Sequence, residues 1–281
     1  MQAVPQTPEL TRPPGLTGHL WIQELPTGGW LRFQVTAGGA LQFGTQAGTA
    51  TTAAALPPPY RRAAQHVCSA LDREAMRTAT DDPESITFVG RVTWNEGIAY
   101  PWQEVPAFLG TDVWTDESEQ YLSPDMATTA FDRLGLPTLP AFGKEQPAAH
   151  TDISQYTDGE EFPQSIWRDG RAVGALIRDK SGNRAQAWRG DVSEAGSAHD
   201  DPAAEALAAQ YATETRLADT VARLEGAGDT LSVETVRDQV VADIAREHYP
   251  ALYHDGDPVV SMRAFESAIA ETVQRYLAGE I

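Results

Sequence analysis

Residues 18–44 read GHLWIQELPTGGWLRFQVTAGGALQFG, and this stretch decides the fold. Apolar and aromatic residues alternate along it on both sides of glycines, and a period of two is typical of β-strands. The glycines, among them Gly38 and Gly39, supply the turns because glycine tolerates positive φ. The stretch therefore predicts a β-meander of three strands.

Strands are also predicted further along the chain. The run FVGRVTWNEGIAYPWQEVPAFLGTDVW spans residues 88–114, and its apolar segments suit buried strands. The run WRDGRAVGALIRDKSGNRAQAW spans 167–188, with two strands on either side of a turn. By contrast, the polar and acidic residues 143–165 predict a surface loop, and the prolines of residues 1–17 predict an extended lead-in.

Helical spacing of apolar residues predicts two helices in the first part of the chain. One follows the prolines at 57–59, and its apolar face carries Tyr60, Ala64, Val67 and Leu71. The other spans roughly 124–134.

The last part of the chain has a different composition. Residues 193–201, SEAGSAHDD, have the composition of a linker. Three amphipathic helices are predicted after it, one ending at Gly226, one beginning at Ser232 and one beginning at Ser261. We therefore expect an α+β fold: a domain of antiparallel sheets with flanking helices over 1–192, and an all-helical C-terminal domain over 193–281.

Taken in this order and spacing, the three β-rich stretches resemble the RNA ligase domain family. These are the ATP-dependent, phage-type nick-sealing RNA ligases of the covalent nucleotidyltransferase superfamily. Their first motif is Lys-x-Asp-Gly after a glutamate. The matching run here is Glu24, then Leu25-Pro26-Thr27-Gly28, followed by Trp30 and Arg32. Leu25 stands where the resemblance expects the lysine that would carry AMP.

The run at 88–114 matches two further motifs in part. Gly90-Arg91 stands where the family has Gly-Glu, whose carboxylate binds the ribose. Thr111-Asp112 stands where the family has an aromatic residue and an aspartate, and the aspartate is retained.

The run at 167–188 matches the last two motifs. Val173 replaces a glutamate, Gly174 and Arg178 fit, and the paired lysines of the family are replaced by Gln186 and Trp188. The resemblance implies an adenylation domain followed by a helical C-terminal domain. The candidate residues of its nucleotide pocket are Glu24, Leu25, Thr27, Gly28, Trp30, Arg32, Arg91, Asp112, Val173, Arg178, Gln186 and Trp188.

Ligases of this kind join a lysine to AMP. The lysine attacks the α-phosphorus of ATP, assisted by a divalent metal held near carboxylates, while further lysines neutralise the developing charge. ATP and Mg²⁺ are therefore the cofactors expected of an intact member. No lysine precedes Lys144, and arginine does not substitute as the nucleophile because its guanidinium stays protonated. The sequence thus assigns no catalytic residue and no metal ligand.

Three functional hypotheses follow. The leading one is a degenerate RNA-ligase-like protein that keeps the nucleotidyltransferase fold, has lost adenylation and binds an RNA end, a nucleotide or a partner protein. Its replaced motif residues converge on one cleft, in which Trp30 and Trp188 add apolar bulk. A second is an active RNA ligase with an unrecognised nucleophile such as His19. A third is a protein interaction module, with the stretch 88–114 and the C-terminal helices as contact surfaces.

The composition is strongly acidic. Forty acidic residues against 21 basic ones give a formal charge of −19, and only Lys144 and Lys180 are lysines. Such a surface stays hydrated in concentrated salt, which predicts a halophilic source. It is not the footprint of a nucleic-acid binder, and we expect no reading of DNA grooves. In high salt an RNA ligand would be bound through shape, stacking and local arginine clusters.

The sequence gives no sign of a membrane. No stretch approaches about 18 uninterrupted apolar residues, and the first residues lack the basic-then-apolar pattern of a signal peptide. A cytoplasmic protein is expected.

The acidity predicts how stability depends on salt. The carboxylates repel one another at low ionic strength, where the Debye length reaches roughly 30 Å at 0.01 M. We expect the melting temperature, followed by circular dichroism, to rise with KCl up to molar concentrations. A flat or falling curve would mean that the acidity serves another purpose, such as mimicry of a nucleic acid.

Overall fold

The computed structural model describes residues 1–10, 15–156, 162–189 and 203–281. The strands are β1 (His19–Glu24), β2 (Gly28–Val35), β3 (Leu41–Thr45), β4 (Gly48–Ala50), β5 (Ile86–Thr93), β6 (Phe108–Thr115), β7 (Gln120–Tyr121), β8 (Ala141–Pro147), β9 (Gly174–Asp179), β10 (Arg184–Trp188), β11 (Tyr253–His254) and β12 (Asp257–Pro258). The helices are α1 (Pro58–Ala70), α2 (Arg73–Ala79), α3 (Pro124–Arg133), α4 (Ala204–Tyr211), α5 (Glu214–Ala227), α6 (Val233–Glu247), α7 (Tyr249–Leu252) and α8 (Met262–Leu277).

The described strands form two large antiparallel sheets and one small hairpin. The first sheet has four strands in the order β10-β9-β1-β8, and the second has six in the order β4-β3-β2-β5-β6-β7. The C-terminal region is helical apart from the hairpin of β11 and β12. The predicted α+β class, with antiparallel sheets and a helical C-terminal region, is confirmed. None of the described helices combines the length and apolarity that a membrane span requires.

The predicted meander is wrong in its pairing. β1 pairs with β8 and β9 in the four-stranded sheet, whereas β2 pairs with β3 and β5 in the six-stranded sheet. The chain crosses between the sheets at residues 25–27, where the Leu25 N–H donates to Gly174 O at 2.9 Å. Gly28 follows with φ of 143°, and a Cβ on it would lie 1.8 Å from Val92 O. Only glycine fits there.

A second correction concerns residues 143–165, which were predicted to form a loop. Residues 141–147 form β8, which pairs with β1 at the edge of the four-stranded sheet. Its polar sequence follows from this position, because Lys144 and Glu145 are exposed on an edge strand. Residues 157–161 of the predicted loop lie outside the described residues.

One hydrophobic core joins the six-stranded sheet to the helices. Phe33 stacks on Phe88 with ring centroids 4.8 Å apart, and Phe131 of α3 packs against Phe88 and Phe108. The same cluster includes Val236, Val240 and further residues of the C-terminal helices. The helical region therefore packs directly on the sheet.

The predicted C-terminal helices are found with one difference. Ser232 and Ser261 cap α6 and α8, as predicted, and each side chain accepts a backbone N–H. The helix predicted up to Gly226 is instead two helices, because Thr213 caps a new one at Glu214. The predicted linker 193–201 lies outside the described residues, so the boundary between 192 and 193 stays a prediction.

Arg246 of α6 ties the helical region to the sheet. Its guanidinium donates to Thr93 O at 3.1 Å, Thr93 Oγ1 at 3.1 Å, Trp102 O at 2.6 Å and also Val105 O. Burial lowers the pKa of Arg246 to about 10, so it stays charged at neutral pH. Asn95 adds to the junction by donating to Arg246 O at 2.8 Å.

Removing this guanidinium should destabilise the whole protein. Arg246→Met keeps the apolar stem but leaves buried carbonyl oxygens unpaired, at a cost of about 3 kcal/mol or more. The control Arg237→Met removes a pair with the neighbouring Asp238 on the same helix and should cost less than about 1 kcal/mol. Urea unfolding in molar KCl measures both. Equal effects of the two substitutions would contradict the role given to Arg246.

Candidate functional site

The candidate site lies between the two sheets, in a space we call the intersheet cleft. Asp112 of β6 bonds to Arg178 of β9 and Arg184 of β10, so the facing surfaces of the sheets touch through side chains. Successive side chains of a strand point to opposite faces. One face of the six-stranded sheet therefore builds the helical core, and the other face lines the intersheet cleft.

One half of the intersheet cleft is filled by apolar side chains. Leu25 is fully buried there, 0% exposed. Its cluster contains Leu109, Leu139 and Leu176, with Trp30, Trp167 and Trp188 packed against it. Val173 is fully buried in an adjoining cluster with Tyr100, Trp102 and Val105, against which Trp167 and Trp188 also pack. Apolar packing thus occupies the middle of the predicted pocket.

Arg91 is held between two indole rings. Its guanidinium carbon lies 5.2 Å from the Trp30 ring centroid and 5.4 Å from that of Trp188. Both lie within the distance of a cation–π contact. Its Nε donates to Pro26 O at 3.0 Å. Burial lowers the pKa of Arg91 to about 10, partly opposed by Glu96, so a charged arginine replaces the carboxylate expected at this position.

The other half of the intersheet cleft is a buried polar network. Asp112 Oδ1 accepts from Arg178 Nη1 at 3.0 Å and from Arg184 Nη2 at 2.7 Å. Arg178 also donates to Thr111 O at 2.6 Å and to Gln23 Oε1. Asp112, Arg178 and Arg184 are 4%, 3% and 9% exposed. Asp112 is therefore committed to two arginines.

Burial and charge act in opposite directions on these groups. Burial alone would raise the pKa of Asp112, but the charges of Arg184 and Arg178 outweigh it and hold the pKa below the ordinary 3.8. Burial lowers the pKa of Arg178 to about 10, and Asp112 opposes this shift. At neutral pH the network contains a carboxylate between two guanidinium groups.

Glu24 is fully buried beside the cluster that contains Tyr100 and Val173. It neighbours Leu25 and faces the opposite side of β1, where its carboxylate accepts from Tyr100 Oη at 3.1 Å, Ser165 Oγ at 2.6 Å and the Ile166 N–H at 2.8 Å. Burial raises the pKa of Glu24, and these hydrogen bonds oppose the shift. Glu24 thus fastens the loops that carry Tyr100 and Ser165.

Four other candidates also lie outside the cleft's apolar half. The Thr27 hydroxyl donates to Trp94 O at 2.7 Å, and Gly28 serves the chain crossing described above. Arg32, two residues after Trp30 on β2, donates to Gln2 O at 3.0 Å and Thr45 O at 3.1 Å. Gln186 shares the inner face of β10 with Arg184 and Trp188, between the two halves of the cleft.

The structure therefore divides the twelve candidates. Five meet in the apolar half, namely Leu25, Trp30, Arg91, Val173 and Trp188. Asp112 and Arg178 meet in the polar half, and Gln186 lies between the halves. Sequence reasoning missed Arg184, whose position two residues before Gln186 places it on the same strand face. It also missed Gln23 and Trp167, for which the pattern held no comparable signal.

The residues present do not fit a magnesium–ATP complex. The chain's two lysines have partners elsewhere: Lys144 lies 4.9 Å from the Trp21 ring centroid, and Lys180 lies 3.0 Å from Glu145. Among the described residues, no three His, Cys, Asp or Glu side chains are grouped to hold a metal. Leu25 and Val173 are both fully buried among apolar side chains.

A cavity of about 590 Å³ lies beside the intersheet cleft, between Trp30 and the C-terminal region. Its wall includes Trp94 stacked on Tyr249, with centroids 4.9 Å apart. Glu96 and Asp255 border it, and its lining contains no arginine or lysine. A triphosphate needs charge-assisted contacts, so this cavity does not suit one.

No protein-family model matches the sequence, and no curated protein is significantly similar to it. Form 1 of an archaeal ATP-dependent RNA ligase is 16% identical to this chain. The match covers 99% of this chain and 83% of the ligase chain, with a TM-score of 0.48. Form 2 is also 16% identical; the match covers 90% of this chain and 64% of the ligase chain, with a TM-score of 0.46. A Naegleria gruberi RNA ligase mutant with ATP and Mn is 12% identical over 62% of this chain and 50% of its own, with a TM-score of 0.45. The chain thus spans less than two thirds of the length of the last two.

The network around Asp112 predicts a pH-dependent stability difference. Asp112→Asn leaves two buried guanidinium groups without a carboxylate, which should cost about 3–5 kcal/mol at neutral pH. Because the folded-state pKa of Asp112 lies below 3.8, its stabilisation is complete above that pH and is lost as the pH falls through the folded value.

Urea unfolding at a series of pH values measures this difference. The difference in the free energy of unfolding between wild type and Asp112→Asn should become smaller below pH 3.8. The control Asp116→Asn changes an exposed aspartate and should cost about 0.5 kcal/mol or less. A gap that stays constant with pH would argue against an ionised Asp112.

Proposed function

We propose that this chain is a non-catalytic, RNA-ligase-like protein that binds an RNA end and does not form lysyl-AMP. One observation carries the proposal. Where the resemblance expects a nucleotide, the side chains of Leu25, Trp30, Val173 and Trp188 pack together with Arg91 between the indole rings. A protein with this packing has neither the space nor the amine that adenylation requires.

Substitute nucleophiles find no support in the geometry. Arg91 keeps its proton and is not a nucleophile. His19 is exposed at the first residue of β1, six residues before Leu25. At about 3.3 Å per residue, roughly 20 Å of strand separates them. An adduct on His19 would therefore form outside the intersheet cleft.

The charged groups also favour loss of ATP binding. Desolvating a triphosphate has to be offset by several charge-assisted contacts. Arg178 already bonds to Asp112, Thr111 and Gln23, and Arg91 is enclosed by two indoles. The carboxylates are equally committed, because Asp112 binds arginines and Glu24 faces the other side of β1.

RNA is the favoured ligand because arginines on the facing sheets keep unpaired donors, namely the Nε atoms of Arg32, Arg178 and Arg184. Arg32, Arg91, Arg178 and Arg184 lie on the facing sheets, in a chain whose formal charge is −19. A local arginine cluster is what phosphate recognition needs. That the protein works in the cytoplasm of a halophile is part of the proposal.

Labelled ATP tests the covalent part of the proposal. The purified full chain, incubated with radiolabelled ATP and magnesium in molar KCl, should form no protein–AMP adduct on a denaturing gel. Calorimetry should show ATP binding weaker than about millimolar, because charged contacts to the phosphates are too few. A known active RNA ligase in the same buffer is the positive control. A stoichiometric labelled band would refute the proposal and, once mapped, identify the nucleophile.

Restoring two motif residues should not restore activity. Leu25→Lys with Thr27→Asp supplies the missing amine and carboxylate, but Arg91, Val173, Gln186 and Trp188 still replace groups that act together. We expect no adenylation, with circular dichroism used to confirm that the variant is folded. Adenylation by this double variant would show that the rest of the pocket is intact.

A further inference from the structure

Residues 1–10, which we call the arm, cross the mouth of the intersheet cleft. At one end the Gln2 N–H donates to Thr87 Oγ1 at 3.0 Å, and Arg32 donates to Gln2 O at 3.0 Å. Tyr121 Oη donates to Ala3 O. At the other end the arm lies beside β10, where the Leu10 N–H donates to Gln186 O at 2.7 Å and the Gln186 N–H donates to Pro8 O at 2.9 Å. The arm therefore bridges both sheets.

The middle of the arm is held weakly. Pro5 and Pro8 have no N–H, so the arm is unable to form a full ladder with β10. The Thr7 hydroxyl donates to Pro5 O within the arm. In the part of the chain that the structure describes, residues 4–7 make no hydrogen bond to either sheet. The arm covers the cleft with few bonds at each end.

Arginine donors without acceptors lie under the arm. The Nε atoms of Arg32, Arg178 and Arg184 are buried and have no hydrogen-bond partner, and Asp112 Oδ2 is unpartnered as well. Buried polar groups are nearly always paired, so each orphan requires an explanation. Three of these four orphans are arginine donors on the facing sheets, and the phosphate oxygens of a bound ligand would supply acceptors for them.

The charged residues under the arm also favour an anionic ligand. A cavity of about 50 Å³ beside Pro5 is bordered by Arg178, Lys180 and Arg184 and by Asp112 and Asp179. The Asp179 carboxylate is already satisfied by N–H groups of Thr17, Ser181 and Asn183. The arm's one charged side chain, Glu9, is exposed and forms no ion pair with these described arginines. The arm thus covers the cations without neutralising them.

We propose that phosphate groups of single-stranded RNA bind Arg32 and Arg184 in the groove under the arm, and that RNA displaces the arm to reach them. A volume of about 50 Å³ holds one or two waters but no phosphodiester, so the arm has to move. Trp114 and Tyr121, with ring centroids 5.1 Å apart, stand at the same edge and offer faces for base stacking. The proposal rests on the RNA-binding function proposed above.

The first test loosens the arm in the full chain. Gln2→Pro removes the N–H that bonds to Thr87, and Tyr121→Phe removes the hydroxyl that bonds to Ala3 while keeping the ring. Losing two hydrogen bonds should raise the open fraction of the arm and tighten RNA binding about tenfold. The probe is a 5′-phosphorylated oligouridylate of about ten nucleotides. Fluorescence anisotropy is read at the lowest KCl concentration at which the wild type remains folded.

The second test removes the arginines. Arg32→Gln and Arg184→Gln should each weaken RNA binding about tenfold, since each removes a charge-assisted contact to phosphate. Arg263→Gln, an exposed arginine of α8, is the control and should leave the affinity unchanged. Melting curves in the same buffer show whether each variant is folded. If a variant is not folded, hydrogen exchange of the wild-type protein is used as the test in place of that variant.

Hydrogen exchange of the wild type reports the arm directly. RNA should increase the exchange of the Leu10 and Gln186 amides, which in the free protein donate to Gln186 O and Pro8 O respectively. RNA that binds while these amides stay protected would overturn the displacement and leave the proposed function standing. No RNA binding by wild type or the loosened variant would overturn both. Inorganic phosphate that opens the arm as well as RNA does would identify a small-anion site instead.

Discussion

The close contact between Gly28 and the carbonyl of Val92 is the constraint on which the rest of the structure depends. With no room for a Cβ at this point, the chain leaves the four-stranded sheet at Glu24 and enters the six-stranded sheet at Gly28 within three residues. The two sheets are thereby held face to face. Everything that lies between them, from Leu25 to the Asp112 network, follows from how this short crossing joins them.

The space between the sheets is occupied by packed apolar side chains and by paired arginines. Apolar burial contributes about 25 cal/mol per Å² of area removed from water, and large aromatic side chains such as Trp30 and Trp188 supply much of it. A cleft that held a triphosphate would instead have to keep polar groups unpaired until the ligand arrived. Here Arg91 finds its partners in two indoles and Pro26 O, and Asp112 finds its partners in Arg178 and Arg184. These groups are paired within the protein, whereas the Nε atoms of Arg178 and Arg184 have no partner.

The spacing of apolar residues and the composition predicted which segments are strands and which are helices, since most of these segments show their pattern locally. The predicted pairing of β1 with β2 failed because a short glycine-bearing connection is compatible with either a hairpin or a crossing between sheets. β8 was missed because an exposed edge strand need not alternate. The arm, predicted only as an extended lead-in, owes its place to Thr87 and Tyr121, which are distant in sequence and carry no local pattern.

Within the site, the direction of each candidate side chain is fixed by its position in or next to a strand. Leu25, Arg91 and Trp188 meet because each lies on the inner face of its sheet. Glu24 is adjacent to Leu25 and so faces the other side of β1, where it is buried against Tyr100 and Ser165. Arg32 shares a face with Trp30 but stands farther along β2, where it meets Gln2 and Thr45. A sequence motif does not record this alternation, so the strand face of each motif residue has to be taken from the structure.

The junction at Arg246 has a consequence for how the sequence is able to change. Arg246 bonds to Thr93, Trp102 and Val105, and the loop that contains Trp102 and Val105 also supplies the cluster around Val173. Tyr100 of that loop bonds to Glu24. Substitutions that would empty the cleft therefore disturb the anchor of the helical region at the same time. The packing of the cleft and the anchoring of the helical region are therefore coupled, because one loop contributes to both.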